Sequence, residues 1–75
     1  MGSKYPILTP DEIIRALSKL GFQKISQKGS HAKYKNDISP VKTVIIPMHS
    51  EIARGTLKSI LDQAGISLED FLKLL

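Results

Sequence analysis

The stretch "FQKISQKGSHAKYK", residues 22–35, decides how this chain folds. "FQKISQ" (22–27) and "HAKYK" (31–35) are short runs rich in β-branched or aromatic residues, as strands require. Between them "KGS" makes a tight turn in which Gly29 takes positive φ. The pair reads as a hairpin. Alternation along its second arm sets His31, Lys33 and Lys35 on one side, Ala32 and Tyr34 on the other. Ala32 and Tyr34 are the core members, so His31 points away from the core with two lysines in line.

Working outward, "LTPDEIIRALSKLGF" (8–22) reads as a helix with both ends marked. Thr9 is the N-cap, Pro10 takes the first helical position, and Glu12 closes a capping box. Ile13, Ile14, Leu17 and Leu20 form an apolar stripe at helical spacing, and Gly21 is the left-handed stop. Downstream, "NDISP" (36–40) is a second turn, "KTVII" (42–46) a third strand, and Pro47 ends it. A second helix starts near Ala53 or Arg54 and runs through "RGTLKSILDQA" to Gly65, with Leu57, Ile60, Leu61 and Ala64 on its apolar face. "SLEDFLKLL" is a short third helix, capped by Ser67 with Asp70 completing a box. The order α-β-β-β-α-α predicts an α+β fold: a three-stranded antiparallel meander with helices on one face and the other face open.

Seventy-five residues make one domain, near the lower limit for a single apolar core. It is expected to span residues 5–75. Residues 1–4 form a tail, and its Met1-Gly2-Ser3 reads as a vector remnant. With no cysteine, neither a disulfide nor a thiolate metal site supplements the core, which fits a cytoplasmic protein. No run reaches the roughly 18 apolar residues of a membrane span. The net charge of +4 equals that of residues 22–42, where Lys24, Lys28, Lys33, Lys35 and Lys42 face only Asp37. Such a patch attracts polyanions, nucleic acid first. Charge alone fits equally well a solvated lysine-rich face that guards a strand edge.

A lone histidine is more often structural than functional, but a packed one would lie with Tyr34, and His31 lies with the lysines. A turn centred near residues 38–39 places His31 across from Ile46 and leaves His49 just past the third strand. Both histidines then share one end of the hairpin. The plainer account of His49 is a loop residue touching the start of the second helix. On the open face, one histidine with Lys33 and Lys35, and with Lys28 and Ser30 at the turn, is a sufficient kit for cleaving RNA without a metal or cofactor. A histidine, with an ordinary pKa of about 6.5, takes the 2′-hydroxyl proton or protonates the leaving 5′-oxygen. Lysines stabilise the charge that builds on phosphorus. Clusters with metal-ligand spacing, phosphate-binding glycine motifs and a serine triad are all missing from the sequence.

Gly29-Ser30-His31 with Tyr34, "IPMH" (46–49), "RGTLKSIL" (54–61) and "QAGIS" (63–67) together resemble the HicA-type toxins of toxin–antitoxin pairs. The likeness covers nearly the whole chain from about residue 5, with Ala53 standing where relatives often carry proline. It implies a double-stranded-RNA-binding-domain-like fold, an mRNA interferase activity, a catalytic histidine at His31 and a HicB-type antitoxin that covers the site. Gly29 and Ser30 follow as the turn that positions it. Arg54 and Lys58, one turn apart near a helix N-terminus, join Lys28, Lys33 and Lys35 as candidate RNA contacts. Two helical cations are few for a duplex, so single-stranded mRNA is the expected substrate. Three other readings stay open. One is a non-catalytic RNA-binding module of the same fold, and another is a domain whose basic face docks an acidic protein. The weakest is a DNA-binding helix-turn-helix.

Overall fold

The computed structural model describes residues 5–37 and 41–75. Its elements are α1 (Pro10–Ser18), β1 (Phe22–Lys28), β2 (His31–Asn36), β3 (Lys42–Pro47), α2 (Arg54–Ala64) and α3 (Leu68–Leu72). The strands form one antiparallel sheet in the order β1-β2-β3. This is the α+β architecture expected from the sequence, with α1 against β1, α2 against β3 and α3 against α2. The N-terminal tail and the Ile38–Pro40 part of the second turn lie outside the described residues.

Local chemistry accounts for the helix ends. The Glu12 N–H donates to Thr9 Oγ1 (3.3 Å), and Glu12 Oε1 accepts from the Thr9 N–H (2.9 Å), so the α1 box is complete. The bond from the Thr9 N–H, with a second from the Thr9 hydroxyl to Glu12 Oε1 (3.1 Å), holds the Glu12 carboxyl below its usual pKa. At the other end α1 stops at Ser18, earlier than Gly21. The chain tightens into i→i−3 turns through Lys19, Leu20 and Gly21 before Gly21 takes φ 90°. Gly65 (φ 72°) ends α2 as a left-handed cap. The box foreseen on α3 is half formed. The Asp70 N–H donates to Ser67 Oγ (3.1 Å), but the Asp70 carboxylate turns toward Lys73 Nζ, 3.8 Å away.

The core lies between the helices and one sheet face. Ala32 and Tyr34 of β2 and Val44 and Ile46 of β3 are buried there with Ile13, Leu17, Leu57, Ile60 and Phe71. That shared face also corrects the expected register. His31 pairs with Pro47, one residue beyond Ile46, and Ala32 pairs with Ile46. The expected pairing would have turned Thr43 and Ile45 inward beside Tyr34 and Ala32. A slip of one residue exchanges the two faces, and burial of Val44 and Ile46 selects the observed one.

Two features tie the periphery down. Leu8 and Ile52 form an isolated antiparallel bridge, the Ile52 N–H donating to the Leu8 carbonyl at 2.7 Å. This fastens the chain start to the β3–α2 loop and buries both side chains. At the β3 edge, the Ile45 N–H donates to Gln63 Oε1 on α2 (3.0 Å), so the helix covers a main-chain donor that water or another strand would otherwise take.

Candidate functional site

His31 opens β2 at the end of a two-residue hairpin loop, Gly29-Ser30, closed by the Lys28–His31 pair. Gly29 has φ 59° and Ser30 has no positive φ, the pattern of a type II′ turn with glycine at its first central position. The loop is held from two sides. Gln27 Nε2 donates to the Gly29 carbonyl (3.1 Å), and the Lys24 ammonium donates to Gln27 Oε1. From β3, the Met48 N–H donates to the Ser30 carbonyl at 2.6 Å. This last bond extends the β2–β3 ladder one step past the His31–Pro47 pair.

Directly opposed residues share a sheet face, so the open face is built in rows. Lys28, His31 and Pro47 form the first, Ser26, Lys33 and Ile45 the second, Gln23, Lys35 and Thr43 the third. Lys28 belongs to this face only because of a bulge. The register of β1 shifts between Lys24 and Ser26, so Ile25 is an extra residue. An unbroken alternation from buried Phe22 would have put Lys28 on the helix side. The bulge turns it to stand across from His31.

His31, Lys28 and Lys33 are exposed. Among the described residues Lys28 and Lys33 make no ion pair, while Lys35 Nζ lies 3.9 Å from the Asp37 carboxylate in an exposed contact. Such a pair is worth little in water and yields readily to a stronger anion. Beneath this face Tyr34 is packed against the helices. Burial pushes its phenol pKa up, and the Asp11 carboxylate adds to the effect.

The structure brings some of the candidate residues together and leaves others apart. The Met48–Ser30 bond carries the chain past β3 alongside the Gly29-Ser30 loop, so His49 and His31 occupy the same end of the hairpin. Both are exposed, and neither ring has a hydrogen-bond partner among the described residues. Arg54 and Lys58 belong to α2, which packs on the face opposite the lysine rows. Arg54 Nε donates to the Tyr5 carbonyl (2.8 Å), and Lys58 pairs with Asp62 at 3.2 Å. The start of α2 has no side-chain cap and no acidic residue in its first turn. Gln27, and the part of Lys24 in bracing the turn rather than in the basic patch, did not show in the sequence. The only hint of either was a glutamine two residues before the turn glycine, close enough to reach its carbonyl.

Among the described residues no group of three His, Cys, Asp or Glu side chains could hold a metal ion. No described helix is long and apolar enough to cross a membrane. No curated protein matches the chain in sequence. The family model described as the HicA toxin of bacterial toxin–antitoxin systems matches residues 10–66, from the first residue of α1 to just past the α2 cap, with the whole sheet between. A glycine-turned hairpin presenting an exposed histidine among lysines, inside a match that covers most of the chain, makes this protein a member of the HicA toxin family, the toxin half of a toxin–antitoxin pair.

Proposed function

We propose that this protein is a metal-independent endoribonuclease that cleaves mRNA in the cytoplasm, with His31 as its proton carrier. The observation that supports this most directly is the row Lys28–His31, an exposed imidazole facing a cation across the hairpin, with Lys33 in the next row. In the reaction the ribose 2′-oxygen loses its proton and bonds to the adjacent phosphorus. The bond from phosphorus to the 5′-oxygen then breaks, and that oxygen gains a proton. The products are a 2′,3′-cyclic phosphate and a free 5′-hydroxyl, with no net change in protons. His31 takes the first proton or supplies the second. His49, at the same end of the hairpin, is the candidate for the other transfer. Lys28, Lys33 and Lys35 neutralise the phosphate as charge builds on its oxygens. Gly29 and Ser30 set the position of His31. Arg54 and Lys58, on the opposite face and engaged with the Tyr5 carbonyl and Asp62, would contact RNA only where the strand wraps past the sheet edge toward α2. A HicB-type antitoxin that covers the Lys28–His31 face would silence all of these groups together.

The test is incubation of labelled single-stranded RNA with pure protein in EDTA, beside His31→Ala. Cleavage by the parent and none by the variant is the expected outcome. If the RNA survives in both reactions while binding persists, the protein is an RNA-binding module and the catalytic reading fails.

A further inference from the structure

We propose that the open sheet face is a track for one RNA strand, gripped phosphate by phosphate along β2 and indifferent to the bases. This rests on the ribonuclease reading and adds how the substrate lies. On an extended strand, alternate residues on one face stand about 6.8 Å apart. His31, Lys33 and Lys35 therefore repeat at a spacing close to that of successive phosphates in an extended single strand. Lys28 stands across from His31 and supplies the cation at the cleavage end. The Ser26 and Thr43 hydroxyls flank the second and third rows, where each can donate to a phosphate oxygen.

What the face lacks is equally informative. Proteins that read single-stranded RNA stack its bases on aromatic rings or Arg planes and hydrogen-bond their edges. The chain has two phenylalanines, two tyrosines and no tryptophan. Phe22, Tyr34 and Phe71 are buried in the core, and Tyr5 packs against that core from the N-terminal segment. None is on the open face. The face also has no arginine, whose planar fork would favour guanine. Cations in line without stacking surfaces give affinity through phosphates alone.

Salt dependence reads this directly, since each phosphate contact on a single strand contributes about 0.7 to the slope of log affinity against log salt. The probe is a fluorescent 2′-O-methyl oligouridylate of twelve nucleotides. It has no attacking hydroxyl, so binding is measured apart from cleavage. Three lysine contacts predict that affinity falls at least about 18-fold between 50 and 200 mM KCl. Lys33→Gln and Lys35→Gln should each lower the slope by about 0.7, whereas Lys73→Gln just past α3 leaves it unchanged. Adenine, cytosine and uracil versions should bind within about threefold of one another.

A slope unmoved by Lys33→Gln and Lys35→Gln, a tenfold preference for one base, or equal affinity for duplex RNA would each overturn the track. So would a lack of binding to the oligomer, which is what a face dedicated to an acidic protein predicts. If the parent cleaves RNA but the slopes do not change, the track fails and the enzyme stands. If the slopes change but ordinary RNA stays intact, the track stands and the enzyme fails.

Discussion

Substituting alanine for glycine should have opposite effects at two positions of this protein. Gly29 has φ 59°, and a Cβ built there meets nothing within 4 Å. No clash contributes, so the penalty is that of holding an L-residue in the left-handed region, about 1–2 kcal/mol. Alanine also stiffens the unfolded chain, which returns about 0.4–1 kcal/mol. The net expectation for Gly29→Ala is a loss of about 1 kcal/mol, or a melting temperature lower by about 4–8 °C for a domain of this size. Gly29→Asn should lose less, because asparagine tolerates that region. Gly55 sits in the first turn of α2, with open space around its Cβ position and no positive φ. There Gly55→Ala should gain about 0.5–1 kcal/mol. Thermal and urea melts of the three variants beside the parent provide the assay. Gly29→Ala as stable as the parent would mean that the turn does not need a left-handed residue. A loss well beyond about 2 kcal/mol would mean a close contact at Gly29 that this structure does not contain.

Two further outcomes follow from the core and the first helix. Phe71 on α3 is fully buried, so Phe71→Ala should cost about 3–5 kcal/mol. A chain of this length has total stability of about 4–11 kcal/mol, so circular dichroism melts should show the variant losing a large share of its stability, and unfolded where the parent lies at the low end of that range. A mild effect would mean that α3 is dispensable. The Glu12 carboxyl is held below its usual value of 4.5 chiefly by its bond from the Thr9 backbone, so its contribution is present above the unfolded pKa and is lost as pH falls through the folded one. Glu12→Gln keeps an acceptor and removes the charge. Its melting temperature should fall below the parent's near neutral pH, with the gap closing under acid, and a gap that persists at about pH 2 would refute this account.

Local signals were legible wherever a few adjacent residues suffice. The Thr9–Glu12 box, the Gly65 cap and the Gly29 turn all formed where the residues pointed. So did the inward set Ala32 and Tyr34 and the outward set His31 and Lys33. The Asp70 half of the α3 box went astray because a carboxylate on an exposed helix end has a competing partner in Lys73. The register of β2 against β3 missed by one residue for a different reason. It depends on matching two inward faces, and the turn residues alone do not state which pairing buries Val44 and Ile46.

The sequence by itself determined the order of elements, the placement of an exposed histidine behind a glycine turn and the concentration of positive charge in the central hairpins. These follow from dihedral preferences, capping and strand alternation, which act over a few residues. Only the tertiary structure decided that Ile25 is a bulge and that Lys28 therefore stands across from His31. It also decided that the Met48–Ser30 bond brings the chain bearing His49 to the turn, and that Gln63 closes the β3 edge. Each of these depends on the register between separate segments, and register is selected by burying one apolar face of the whole sheet rather than by any residue's local preference.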